Sequence, residues 1–384
     1  MSVICENSKG WILDHAELIN RVYFNVVSKI EQNSKLTQYS SSFTFCGHFF
    51  HILTPFMFDL EVSNVISTPI KKRKRSGRSK GLKDACSYFD AHLEIKIIKS
   101  ALAELVALAQ ENGHLKVEVS TEDVISNNGV ARECSTSFFN DICQEKLLEC
   151  SGGNAAEKPV QANIYGQDYL IPNGSTFYCC DIQQLHLSLR GDSQFDFVLL
   201  DPPWWNKYIR RRKTKQENGG YKMMYNEEIG SLPVEGWLAP DALVGVWCTN
   251  CSRHEQDIIS RWFPRWGLRL VATWFWVKVT KSGVPVCQFS PPPGKQPYER
   301  VLLGAAAARV DRLPPDGRCI VSVPSAIHSH KPPLSEVMKR YLPTQPRCLE
   351  LFARYLQPNW VSAGDQVLAL QNCKLYRQIQ QSAC

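Results

Sequence analysis

Residues 195–207 read FDFVLLDPPWWNK: an apolar run passes directly into an acid, two prolines and two tryptophans. Phe197, Val198, Leu199 and Leu200 are apolar without alternation, as in a strand covered on both faces. The two prolines fix their own backbone angles and restrict the residue before each, so the chain leaves such a strand through a stiff loop with Asp201 at its root. Prolines also lack an N–H, and the Pro202 and Pro203 carbonyls are therefore expected to face a ligand.

Similar short apolar runs recur downstream: TFYCCDI, ALVGVWC, LRLVATWFWVKV, ERVLLGAA, CIVSVP, RCLELFA and DQVLALQ. Helix-like stretches at 254–262 and 334–341 lie between some of them, which predicts an α/β fold from about residue 158 to 384. In such folds ligands sit beyond the carboxyl ends of the strands, where Asp201 lies.

Upstream, residues 1–155 have a different texture and predict a mainly helical N-terminal region. One helix is expected over Asp14–Lys29, a second around Leu93, Ile97, Ala101, Leu105 and Leu108, and a third over Ser137–Glu149. Residues 63–83 are rich in Lys, Arg, Ser and Gly and read as a basic flexible linker. The 384-residue chain is 44% hydrophobic and 21% charged, with no run of 18 apolar residues and no secretory pattern at its start. Its fifteen cysteines are scattered and read as free thiols in a reducing compartment. Cys248 and Cys251 have C-x-x-C spacing without a second pair, so no metal is expected.

The net charge of +7 is concentrated in two clusters. Lys71–Arg75 reads as a nuclear localisation signal, with phosphate binding as its rival. Lys207, Arg210, Arg211, Arg212 and their neighbours follow the Asp-Pro-Pro-Trp site and are placed to grip nucleic-acid phosphates. A carboxylate, acceptor carbonyls and an aromatic face suit a planar ligand with an exocyclic amine, such as adenine. That amine is a weak nucleophile; acceptors at its hydrogens would orient its lone pair toward an electrophile. Asp201, Pro202, Pro203 and Trp204 are thus the catalytic candidates, with Trp204 as the base platform.

These residues resemble the D-P-P-W signature of the MT-A70 family of adenine-N6 methyltransferases. Cys180-Asp181-Ile182, Trp247-Cys248-Thr249-Asn250, Trp276-Val277-Lys278, Ser329-His330-Lys331-Pro332 and Leu349–Arg354 followed by Gln357-Pro358-Asn359-Trp360 also match the family, in order, across about residues 158–371. The resemblance implies a Rossmann-like S-adenosylmethionine-dependent domain with permuted motif order. It implies cofactor contacts from Asp181, Ile182, Asp201, Glu350, Leu351, Phe352, Arg354 and Gln366. Substrate contacts fall to Trp204, Asn206, Lys207, Arg210, Arg211, Arg212, Asn250, Tyr298, Glu299, His330 and Lys331. Tyr298, Tyr355 and Asp365 depart from residues common in the family. Within it, the chain's opening and its HSHKPPLSEV and LELFARYLQPNW wording resemble a branch that implies RNA methylation at 2′-O-methyladenosine of spliceosomal small nuclear RNA; a monomer acting in the nucleus, with the cytoplasm as a second location, is expected. DNA adenine methylation and a non-catalytic RNA-binding subunit are the alternatives.

Overall fold

The computed structural model describes residues 2–32, 35–56, 83–141, 149–189, 194–205, 223–290 and 294–379. Sixteen strands occur among them: β1 (Val3–Asn7), β2 (Gly10–Leu13), β3 (Val26–Gln32), β4 (Lys35–Phe45), β5 (Cys150–Asn154), β6 (Val160–Ile164), β7 (Gln167–Ile171), β8 (Ser175–Cys179), β9 (Phe195–Leu200), β10 (Leu238–Cys248), β11 (Leu268–Lys278), β12 (Tyr298–Ala306), β13 (Cys319–Ser322), β14 (Cys348–Leu351), β15 (Trp360–Ala363) and β16 (Tyr376–Ile379). Four helices of the first 155 residues are α1 (His15–Val22), α2 (Lys83–Glu111), α3 (Thr121–Ser126) and α4 (Gly129–Asp141).

β9 runs through the middle of an eleven-stranded sheet, ordered β1-β2-β13-β11-β12-β10-β9-β14-β15-β8-β5. Its alternate residues serve two cores: Val198 and Leu200 pack into one and Phe197 and Leu199 into the other, with Phe195 at the start of the strand joining the first. Burying each such side chain contributes about 1.5–3 kcal/mol, which is why the run carries no polar alternation. β10, β14, β15 and β8 run parallel to β9 in one continuous block. The block brings the carboxyl ends of β8, β9, β14 and β15 side by side.

Several expectations need correction. The helix expected over Asp14–Lys29 stops at Val22, and the chain turns into β3. Asp14 caps the helix through Glu17 N–H, as the pattern suggests, but Val26 and Val27 are β-branched and find a long-range partner in β4. The second helix exists and is longer than expected. Its buried stripe is Ile95, Ile98, Ala101, Leu102, Leu105 and Ala109, whereas Leu93 and Ile97 are exposed. The third is α4, which begins at Gly129; residues 142–148 lie outside the described residues. DQVLALQ is turn and 3-10 helix; the strand is its neighbour β15.

Segments from both sides of residue 155 share the sheets. β2 pairs with β13 at one end of the large sheet, and a second sheet has the order β16-β4-β3-β6-β7. Residues 63–82 of the expected linker are outside the described residues. Among those described, no helix is long and apolar enough to cross a membrane.

Candidate active site

Asp201 leaves β9 with its N–H donated to the Leu351 carbonyl of β14 at 3.3 Å, so the sheet sets its position. Its carboxylate is held from one side. Lys331 Nζ donates to Oδ1 at 2.9 Å and Oδ2 at 3.0 Å, and Ser329 Oγ donates to Oδ2 at 2.9 Å. Lys331 also reaches Glu299 Oε2 at 3.4 Å, and Glu299 is paired with Lys278. The result is an alternating chain, Asp201, Lys331, Glu299, Lys278, in which each inner charge has two opposite neighbours. Asp201 and Lys331 side chains are only 10% and 9% exposed, so these contacts are little screened by water. Burial opposes Lys331's charge, but Asp201 and Glu299 hold its ammonium above the ordinary range. Burial would raise Glu299; the two lysines bring it down to about 2.

A cleft of about 700 Å³ opens at the carboxyl ends of the parallel strands. Its walls come from Cys180, Asp181 and Ile182 after β8, Asp201, Pro202 and Pro203 after β9, Phe352 and Arg354 after β14, and Asp365 and Gln366 after β15, with Met224 and Ser329. Phe352 and Ser329 adopt left-handed backbone, φ 61° and 62°, a conformation that non-glycine residues rarely hold without surrounding constraint. Arg354 donates to Gln366 Oε1 and to the His328 carbonyl, so its guanidinium is oriented along the rim. Burial, opposed by Arg354 and reinforced by Asp181, pushes the Asp365 carboxyl up.

Of the expected cofactor residues, Asp181, Ile182, Asp201, Phe352, Arg354 and Gln366 line this cleft, whereas Glu350 and Leu351 do not. Both belong to β14 and are buried in the sheet. Burial, opposed by a 3.0 Å hydrogen bond from Gln357 and reinforced by Asp201, pushes Glu350 up to about 8. Burial and the charge of Asp201 both favour the protonated form of Glu350. Ser329, Met224 and Cys180 were missed as lining residues. Ser329 had a visible signal, since it stands two places before Lys331 in the same short segment.

The aromatic assignment reverses. Trp204 is 7% exposed, its indole N–H donates to the Trp247 carbonyl at 3.2 Å, and its ring packs against His254 and Trp262, with centroids 4.3 and 5.5 Å away. It is a core residue that anchors the loop. Trp205 is only partly buried and stacks 6.0 Å from the exposed ring of Tyr225. The proline carbonyls are occupied too: Pro202 accepts from Trp204 N–H at 2.8 Å and Pro203 from Met224 N–H at 3.0 Å, leaving each at most one further lone pair.

Three expected substrate residues are engaged elsewhere. Asn250 donates to the Tyr298 carbonyl and accepts from Arg300, tying the end of β10 to β12. The Tyr298 hydroxyl donates to Glu94 of α2 at 2.8 Å, on the sheet face opposite Glu299, since neighbours in a strand point opposite ways. His330 is 4% exposed among His15, Phe45, Phe50 and Tyr355. Burial, with Arg354 adding to it, takes its imidazole down to about 3. Asn206, Lys207, Arg210, Arg211 and Arg212 lie outside the described residues.

Comparison with known proteins bears on this arrangement. The MT-A70 family model matches residues 195–366. The chain is 38% identical over 219 residues to the N(6)-adenine-specific methyltransferase METTL4 of Mus musculus, covering 54% of this chain and 45% of that protein. It is 32% identical over 264 residues to a DNA N6-methyl methyltransferase of Caenorhabditis elegans, covering 67% of this chain and 69% of that one. A third relative, the N6-methyladenosine RNA methyltransferase MTA1 of Cryphonectria parasitica, is 35% identical over 204 residues, 52% of this chain and 60% of its own length. The chain thus spans about half the length of its mouse relative.

Proposed function

Because the chain belongs to the MT-A70 family, we propose that it is an S-adenosylmethionine-dependent methyltransferase acting on the N6 amine of adenosine in RNA, with 2′-O-methyladenosine of small nuclear RNA as the favoured target. The observation that carries the reading is Asp201, fixed at a strand end by Lys331 and Ser329 on one wall of the cleft.

The residues present fit this cofactor. Its sulfonium and ammonium are cationic, and Asp181, Asp201 and Asp365 all face the cleft, where carboxylates favour positive charge. Arg354 and Gln366 offer hydrogen-bonding groups for ribose or carboxylate, and Ile182 and Phe352 offer apolar surface for adenine. The cofactor has no phosphate, so no glycine-rich cradle is needed. When bound it supplies an electrophilic methyl carbon.

The chain's own residues do the rest. Lys331 and Ser329 hold the Asp201 carboxylate in place, an acceptor at Oδ1 and Oδ2 that can be approached by an N–H. Oδ1 has one donor, Lys331, and a lone pair left for an amine hydrogen. Accepting that hydrogen orients the nitrogen lone pair and takes up the charge that grows as the nitrogen is alkylated, a positioning and electrostatic contribution. Trp204 anchors the loop, and Trp205 with Tyr225 offers the exposed aromatic face against which a base can stack. Residues 207–215 supply basic charge for the backbone, Lys71–Arg75 directs the protein to the nucleus, and the protein acts as a monomer.

The C. elegans relative's name makes DNA the second reading. Incubating the purified chain with matched RNA, 2′-O-methyl RNA, and single- and double-stranded DNA, with methylated adenine measured by mass spectrometry, decides between them. Transfer to 2′-O-methyl RNA above all others is expected; preference for deoxyadenosine would replace the RNA assignment. Asp201→Asn should lower transfer about 10²–10³-fold, and undiminished transfer would remove Asp201 from the chemistry.

A further inference from the structure

Outside the cleft, three metal-seeking side chains meet where the N-terminal strands adjoin α4. Cys46 follows the last residue of β4, His48 lies in the short turn Gly47–Phe50, and Cys134 projects from α4. Their ligand atoms all lie within 4.8 Å of one another, and among the described residues they form the single group of this kind. Cys46 and Cys134 are partly buried, and His48 is exposed.

The donor set is selective. Two thiolates and an imidazole are soft-to-borderline ligands that favour zinc over magnesium or calcium, which prefer oxygen. In a tetrahedral zinc site, bonds of about 2.3 Å to sulfur and 2.0–2.1 Å to nitrogen place ligand atoms roughly 3.5–3.8 Å apart. Small side-chain rotations close the difference from the observed spacing. A divalent ion with two thiolates and a neutral imidazole also sums to zero charge, so partial burial is not opposed. A disulfide between Cys46 and Cys134 would give His48 no part.

We propose that Cys46, His48 and Cys134 bind one zinc-class divalent ion, with solvent as the fourth ligand on the exposed His48 side. The ion's role is structural. Residues adjoining the ligands both grip Ala326: Phe49 accepts its N–H at 2.7 Å, and Ser135 Oγ donates to its carbonyl at 3.1 Å. Ala326 lies just before Ser329 and Lys331, the two residues that hold Asp201. An ion joining β4 to α4 would therefore stiffen the segment that positions the carboxylate. The sequence did not reveal this because C-x-H followed by a distant cysteine matches no zinc-finger spacing.

The test uses the full chain, reduced, stripped with a chelator and titrated with cobalt(II), which reports tetrahedral thiolate coordination through its visible absorption. One equivalent should produce the bands, zinc should bleach them, and metal should raise the thermal midpoint. His48→Ala, at an exposed position that folding tolerates, should weaken cobalt about tenfold or more, and Cys134→Ser should abolish the bands. Absence of bands overturns the proposal, as does a Cys46–Cys134 disulfide persisting in the freshly reduced protein. Unchanged cobalt affinity in His48→Ala overturns it even if Cys134→Ser does not fold.

Discussion

Lys331 is the residue on which the site's electrostatics turn. It is the cation shared by Asp201 and Glu299, and removing one partner of a buried pair typically costs about 3–5 kcal/mol because a charge is left unpaired. Lys331→Met should lower unfolding free energy by about that amount in urea titrations. Adding Asp201→Asn should restore part of it, since the amide carries no charge, and strict additivity of the two substitutions would show that they do not interact. The tryptophan pair separates by the same reasoning. Trp204→Ala should cost about 3–5 kcal/mol, the range for emptying a large aromatic site. Trp205→Ala should leave the melt nearly unchanged and weaken RNA binding by about 1–3 kcal/mol, the worth of one stacked base. A binding loss confined to Trp204→Ala would reverse the assignment. Neither role could be told from the letters Trp204-Trp205, because the difference lies in contacts with His254, Trp262 and Tyr225 contributed by other segments.

At the scale of elements, the central parallel strand was legible because burial on both faces leaves an unbroken apolar run, Phe197–Leu200 of β9. The carboxyl-end rule then located Asp201 without coordinates, and the family resemblance added Asp181 and Arg354. What local pattern could not supply was pairing across the chain. β3 becomes a strand through β4, and His330 is recruited from the site by an aromatic cage that includes His15, Phe45 and Phe50. That segment is a buttress, so His330→Phe should retain methyl transfer and RNA affinity within about twofold, since shape-conserving swaps in a core cost under about 1.5 kcal/mol. Loss of RNA affinity without loss of stability would return His330 to the substrate. The edge of the large sheet offers a purely structural counterpart. Gly10 in β2 has φ 149°, and a Cβ there would lie 1.8 Å from the Cys319 carbonyl oxygen of β13. Gly10→Ala must spread the β2–β13 pairing, at a cost of at least about 1–3 kcal/mol in the melt.

For the whole molecule, buried titratable groups around the site confine stability to a pH window. His330 is held neutral, at about 3, mainly by burial. Between that value and its ordinary 6.5 the unfolded chain binds more protons than the folded one, so its stabilisation is complete above pH 6.5 and is lost as pH falls toward 3. Glu350 acts in the opposite sense. Its carboxyl rises from 4.5 to about 8 through burial and Asp201, so in that interval the folded chain binds the extra proton. Its contribution is complete below pH 4.5 and is lost as pH rises toward 8. The thermal midpoint should therefore fall on both the acid and the alkaline side of an interior maximum. Glu350→Gln, an uncharged near-isostere that can still accept from Gln357, removes the titration and should flatten the fall between pH 6 and 8 while leaving the acid limb in place. Parallel alkaline limbs for the native and variant proteins in a buffered melting series would mean that Glu350 is ionised in the folded state. The raised carboxyl assigned to it would then be withdrawn.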